Sequence, residues 1–595
     1  MDKRLLLALA LSALVIITFT YLFPPPPPRP HVPGAADSAH VAAVPGAPAT
    51  SLIPTAPAAP ARALAGAAPA AAAAASTSGT PTGTPTGTPS GTPSGMPSTP
   101  VDTIDLRTPL AVYRMSNLGA APVGVTILDY KNARPGASPA NPYVDLGLPA
   151  VPMLRYRIIA PHDTLDLEST VFQLARSSAP GGNPVLTYSA TVRGAQVTIA
   201  YTFHQDGYLA TVRGEIHGLE GGYLLADLPD GFVSHEADTL DDQRNFAYVV
   251  KATRSDPQGT AFSKLDPGET KTEPGPISWA AIKSKYFVVG LLAAGADTAH
   301  AFAEVDLLGG PRTGTSKTAT TAAATAVQPL RDGAFAFDLY AGPQEWKRLH
   351  ALGRDFENVN PYGGFFHVLT QPLATLVVRT MIWMRAHLNI SYGWVIIIFG
   401  VTVRLLLWPL NQRAMRSNIK MQVLQPELQA VQAKYKNDQA KLQEAMMKVY
   451  RDHGMSPFSP VAGCLPMLIP MPILLTVFFV LRNTIEFRGV PFLWLHDISL
   501  SDPLYLLPLV MGLSAYLVSW IGMRNTPPNP QTKMMSYMFP VMMTVMLFRV
   551  SAGLNLYYAV QNLATLPQQW LLSRERAKNP LPSTPRVQGR GVSSA

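Results

Sequence analysis

The sequence predicts an α-helical polytopic membrane protein with six transmembrane helices and a cytoplasmic helical hairpin, joined to an all-β sandwich domain outside the membrane. Three observations predict it. The 595 residues change composition abruptly along the chain, from a Pro/Ala/Thr/Gly/Ser tract through a region of period-two alternation to a series of long apolar runs. The net charge of +9 is divided: residues 101–345 hold 19 Lys+Arg against 26 Asp+Glu, a net of −7, leaving +16 elsewhere. The basic residues flank the apolar runs, as expected on the cytoplasmic side of a bilayer rather than of a nucleic-acid-binding protein. The single cysteine, Cys464, excludes an intrachain disulfide and a Cys-x-x-Cys metal or redox site.

Residues 1–23 form the first predicted element, an N-terminal anchor. The apolar run Leu5 to Phe23 has 19 residues, about 28 Å as a helix, which suits an uncleaved span better than the shorter core of a signal peptide. Pro24 to Pro28 end the helix, and Lys3 and Arg4 hold the N-terminus in the cytoplasm. Residues 24–100, with the repeat Gly79-Thr80-Pro81-Thr82, have almost nothing to bury. They read as a disordered linker with ends on the order of 50 Å apart.

Residues 101–348 are expected to form the sandwich. Alternation in Val185-Leu186-Thr187-Tyr188, in Gln196 to Phe203 and in Tyr286-Phe287-Val288-Val289, broken by Gly and Pro clusters, argues for many short antiparallel strands. His204, His217, His235 and Glu236 are the residues from which a sugar-processing site would be assembled. Their spacing fixes neither a metal nor an acid/base pair, so packing and surface histidines are the plainer reading.

Residues 362–388 are apolar but interrupted by Arg379 and Arg385, which fits an amphipathic helix lying in the interface. The core, 389–574, has spans expected at about 390–411, 464–485, 503–521, 534–551 and 553–573. Within it, residues 412–457 carry eight Lys+Arg and four Asp+Glu, and the tail from Arg574 carries five and one. Both belong in the cytoplasm, the tail being residues 575–595, and six spans from an inside start return the chain inside. In the hairpin, Met421, Leu424, Leu428, Val431 and Tyr435 on one arm meet Leu442, Met446, Val449 and Tyr450 on the other, with the turn at Lys436-Asn437-Asp438.

Arg404 stands out because it lies within Val395 to Trp408, an otherwise uncharged apolar run. A mid-span Arg costs about 2.5 to 3.5 kcal/mol even on the lenient insertion scale, so it should face water or a partner. No acidic residue in the expected spans can pair with it. Snorkelling toward Pro409 and the cytoplasmic end is the competing reading.

Several motifs in order resemble the bacterial YidC insertases: Phe399 to Asn411, then Met421-x-x-Leu424-Gln425-Pro426, Gly463 to Ile469 with Met471-Pro472-Ile473, Phe492-x-Trp494-Leu495-His496-Asp497, and Gly553-Leu554-x-Leu556-Tyr557-Tyr558 with Asn562. Trp279 and Lys285-Tyr286-Phe287 fit the same pattern. The resemblance is strong over about 270–574 and by type only over 101–270. It implies a protein of the cell inner membrane, with residues 24–364 periplasmic, both termini cytoplasmic, and no enzymatic activity or cofactor.

It further implies a hydrophilic groove containing Arg404, for which this chain offers Thr402 as the nearest hydroxyl and Tyr557, Tyr558, Gln561 and Asn562 on the last span, of which only some can face Arg404 because neighbours on a helix diverge by about 100°. A client's apolar segment would slide past Met467, Met471, Met538 and Met542, unbranched side chains that suit varied shapes. Implied partners are nascent membrane proteins, the Sec translocon, membrane lipids and, weakly, the ribosome at the basic hairpin and tail. No sequence-specific nucleic-acid binding is expected. The chain departs from the pattern at Pro470 and Gly400, and Arg549 with Asn555 adds polarity near the outer end of the fifth span. A transporter would show internal repeats and intramembrane acids, and an ATPase or zinc protease would show Gly-x-x-x-x-Gly-Lys-Ser/Thr or His-Glu-x-x-His. None of these occurs. A scaffold differs from an insertase in tolerating the loss of Arg404.

Overall fold

The computed structural model describes residues 100–578, apart from 149–150, 162, 220, 296–299, 312–318, 362–366, 413–423, 425–426, 429, 436–437, 453–470 and 525–529. The expected anchor, the linker up to Thr99, Cys464, the Gly463 to Ile469 motif and the tail beyond Lys578 lie outside the described residues, as do Met421, Gln425, Pro426, Lys436, Asn437 and Met467.

The first four strands, β1 (Thr103–Arg107), β2 (Ala111–Ser116), β3 (Ala121–Lys131) and β4 (Tyr143–Asp145), form an antiparallel sheet in sequence order. Fourteen further strands join in a second sheet, whose path runs from Thr164–Asp166 at one edge to Gln173–Ser178 at the other. A sheet of that width curls rather than staying flat, and the two sheets bury one hydrophobic core between them. Alternation sets the inward face: in Ala195–Phe203, Val197, Ile199, Tyr201 and Phe203 are buried while Gln196 is exposed. The long strand Thr270–Lys283 pairs with three neighbours, Ala247–Ala252, Phe287–Ala293 and Phe302–Gly309. Within this domain lie the helices α1 (Thr239–Arg244) and α2 (Trp346–Ala351).

The helices that follow among the described residues include α3 (His367–Leu388), α4 (Tyr392–Leu406), α5 (Gln439–Asp452), α6 (Met471–Asn483), α7 (Leu506–Met523), α8 (Pro530–Leu547) and α9 (Ala552–Lys578). Among the described residues α7 alone is long and apolar enough to cross a membrane by itself, and α6 and Ser536–Leu547 are shorter apolar helices. The segments Thr370–Leu388 and Tyr392–Leu406 meet that test only together and are bent by 119°. The bend sits at Asn389, whose backbone takes a left-handed φ of 49° that asparagine tolerates, and whose N–H bonds back to Arg385 O at 3.0 Å. Ala374, Val377, Val378 and Met381 bury one face of α3, while Leu376 and Trp383 are exposed on the other.

Two buried polar side chains lock the start of α7 and the turn between α8 and α9. Asp502, fully buried, accepts from Trp494 Nε1 at 3.1 Å and from the Leu504 and Leu507 N–H groups at 3.0 and 2.7 Å. It thereby satisfies donors at the start of α7 that have no helical partner. Asn555, also fully buried, donates to Leu547 O at 3.1 Å and Val550 O at 3.4 Å, closing the turn between α8 and α9. The neighbouring Arg549 is exposed.

Residues 482–488, from the last turn of α6 onward, plug into the sandwich. Ile485 belongs to the sandwich core, and Arg482 pairs with Asp241, which also receives Lys285 Nζ at 2.9 Å. Arg488 Nε donates to both carboxylate oxygens of Glu236 at 3.0 and 2.9 Å, its Nη2 donates to Lys131 O at 2.8 Å, and its guanidinium lies near the rings of Tyr130 and Phe287. Glu486 Oε1 accepts the Trp346 N–H at 2.9 Å. Burial pushes Asp241 up, but Lys285 and Arg482 beside it outweigh that effect and hold its carboxyl below the usual range. The four sugar-site residues considered above are engaged separately: His204 with Thr211, His235 with Asp145 O, Glu236 with Arg488, and His217 exposed beside Glu215.

Candidate client groove

Helix α4 is apolar through Phe399 and carries Arg404 near its end. It approaches α9 closely because residue 400 is glycine: a Cβ there would lie 3.1 Å from Val560 Cγ1. The approach lets Gln561 Nε2 donate to Gly400 O at 2.9 Å. A cavity of about 180 Å³ opens beside this contact. It is lined by Arg404, Asn411, Tyr557, Tyr558, Gln561, Asn562 and Thr565, with Val403, Leu407, Ile473 and Leu474 as its apolar part. Three helices therefore supply its walls: α4 and its continuation, α6 and α9.

Five of the six groove residues expected from the sequence line this one cavity. Tyr557, Gln561 and Thr565 recur every four residues along α9, and Tyr558, Asn562 and Thr565 at four and three, so both rows lie on a common face. Asn562 Nδ2 donates to Met511 O and Ser514 Oγ at 3.2 Å, tying α9 to α7. The exception is Thr402, which is exposed and donates its hydroxyl to Ile398 O of its own helix at 2.8 Å. Two residues apart on a helix, Thr402 and Arg404 point about 200° apart, so proximity in sequence does not carry the hydroxyl into the cavity.

The half-buried Arg404 meets an amide rather than a carboxylate: Nη2 donates to Gln568 Oε1 at 2.8 Å. Gln568 is fully buried and in turn donates from Nε2 to Trp408 O at 3.2 Å and to Gln412 Oε1 at 3.0 Å. Arg404 Nε and Asn411 Nδ2 are buried with no hydrogen-bond partner among the described residues. Sequence reasoning missed Gln568, Asn411 and Thr565. The signal was available in the spacing, since Gln568 lies seven residues after Gln561, two helical turns along the same face.

Of the methionines expected at the client slide, Met471, Met538 and Met542 are exposed, with Met534 and Met546 beside the latter two on α8. Val541 and Val545 share this uncovered apolar surface. Leu424, Leu428, Val449 and Tyr450 form a small separate core with Val431 and Met446, joining α5 to the helical residues before it.

Two family models match the chain, one described as 60Kd inner membrane protein over residues 383–579 and one described as the YidC periplasmic domain over residues 103–376. Curated relatives include the membrane protein insertase YidC of Chlorobaculum parvum, 32% identical across 68% of this chain and 71% of the relative. That of an Anaeromyxobacter species is 35% identical across 52% of this chain and 54% of the relative. A solved active YidC insertase with its first transmembrane domain resolved aligns over 79% of this chain and 92% of that one, at 19% identity and a TM-score of 0.32. The two domain matches and the 32% identity across two thirds of the chain give the result: it belongs to the YidC family of membrane protein insertases.

Proposed function

We propose that the protein inserts transmembrane segments of client proteins into the inner membrane through the groove at Arg404, without nucleotide hydrolysis, alone or with the Sec translocon. The observation that carries this reading is a guanidinium in an apolar helix, facing a cavity and paired with no carboxylate among the described residues. Carrying polar groups of a client tail into hydrocarbon is costly because nothing there hydrogen-bonds them. A polar cavity with free donors lowers that cost, and positive charge favours acidic tails. The client's apolar segment then moves along the exposed face of α8 at Met538 and Met542, with Met471 on α6 at its margin.

In this reading α4, α6, α7, α8 and α9 with their flanking residues are five spans, and the N-terminal run is the sixth. Helix α3 lies in the outer interface, the sandwich is periplasmic, and both termini are cytoplasmic. The charge division along the chain supports that orientation. The basic hairpin and tail are the surfaces for the ribosome. The test is insertion of a small single-span client with an acidic N-terminal tail into liposomes containing only this protein, without nucleotide, read by protease protection. Protection above that of empty liposomes is expected; protection no greater than theirs contradicts the proposal.

A further inference from the structure

We propose that Gln568 is a positioning residue for the groove, one that holds the Arg404 guanidinium toward the cavity while leaving its charge uncompensated. The proposal rests on the groove reading above and adds a residue to it. Gln568 is fully buried, and both ends of its amide are committed. Its nitrogen donates to Trp408 O and Gln412 Oε1, so the amide oxygen is the end that faces Arg404, where it accepts from Nη2 at 2.8 Å. A flipped amide would set donor against donor at Arg404 and leave Trp408 O and Gln412 Oε1 without this donor.

An amide oxygen fixes the plane of the guanidinium without neutralising it. A carboxylate in the same place would form a buried ion pair of the kind Arg488 makes with Glu236, and the charge would be consumed inside the protein. The groove holds the opposite arrangement. Arg404 Nε remains without a partner among the described residues, and so does Asn411 Nδ2, seven residues further along and on the same helical face. Both residues line the cavity, which has room for several waters or a small polar side chain. A buried donor without a partner gains a full hydrogen bond when an acceptor arrives, which is the property an entering polar tail exploits.

The experiment uses the full chain in liposomes and two single-span clients that differ only by Asp or Asn at one position in the N-terminal tail. The wild type is expected to favour the Asp client by a factor of about ten, the worth of one charge-assisted hydrogen bond. Gln568→Glu keeps the shape and cancels the charge, and is expected to remove that preference by slowing the Asp client alone. Gln568→Met removes the acceptor without adding charge and is expected to lower the preference several-fold while keeping its sign, so the proposal stays testable if the Glu variant fails to fold. A preference in either variant equal to that of wild type overturns the role of Gln568. Insertion of neither client by wild type overturns the groove reading, and this proposal with it.

Discussion

Two arginines in this protein sit in opposite electrostatic settings. Arg488, at the junction of helices and sandwich, has a side chain only 6% exposed and pairs with a Glu236 side chain 9% exposed. Its Nη2 donates to Lys131 O, and two aromatic rings flank it. Arg404 in the groove has a neutral amide partner, an uncommitted Nε and a cavity in front of it. The junction commits its charge to an ion pair between two parts of the chain, whereas the charge beside the cavity is left without an acidic partner among the described residues.

The largest expected effect follows from breaking the committed charge. Arg488→Ala leaves Glu236 buried and unpaired, and is expected to cost about 3 to 5 kcal/mol of stability, measured by denaturant unfolding in detergent. Arg404→Ala in the same assay is expected to cost no more than about 1 kcal/mol, because the lost charge-assisted hydrogen bond to Gln568 is offset by relief of the desolvation of a cation with no acidic partner. Equal losses from the two substitutions would erase the contrast.

Next in size is a pH dependence at the same junction. Burial pushes the Glu486 carboxyl from 4.5 up to about 7, opposed by the hydrogen bond from the Trp346 N–H. A carboxyl raised in the folded state favours folding most below its unfolded value, and that contribution is lost as pH rises through the folded one. Stability contributed by Glu486 should therefore fall between pH 4.5 and about 7. Glu486→Gln should flatten this part of the profile, as read by unfolding midpoints at the two ends of that range; an unchanged slope would assign the dependence elsewhere.

A smaller effect sharpens the comparison. Replacing Arg488 and Glu236 together by Met should cost less than Arg488→Ala alone, because no charge is left stranded. A double variant at least as unstable as the single would show that the pair is worth more than its desolvation. Smallest of all, Met538→Leu or Met542→Leu on the exposed face of α8 should shift stability by no more than about 0.5 kcal/mol. A larger shift in the melting curve would mean that this face is packed rather than free.

The sequence made some of this legible and hid the rest for identifiable reasons. Alternation over Gln196 to Phe203 is local and marks a strand directly, and an arginine within Val395 to Trp408 marks itself. Tyr557, Tyr558, Gln561 and Asn562 stand out as polar residues in the last apolar run, and they line the same cavity as Arg404. Thr402 was misplaced because nearness along a helix is not nearness on its surface. Gln568 carries no mark of its own in the sequence, although its spacing from Gln561 puts it on the same helix face. The junction was illegible: Arg482 and Arg488 look like ordinary end-of-span charges, and their partners Asp241 and Glu236 lie 241 and 252 residues earlier. Nothing local encodes such pairings, which depend on the order of strands in a fourteen-stranded sheet.

In the proposed function Arg404 is held for clients rather than for the fold, which is tested by comparing wild type, Arg404→Ala and Arg404→Lys for insertion and melting in one reconstituted preparation. Insertion of an acidic-tailed client is expected to fall about tenfold or more with Ala and to be largely kept by Lys, with melting temperatures close to wild type. Equal insertion by all three, or a loss of insertion that tracks a loss of stability, would contradict it.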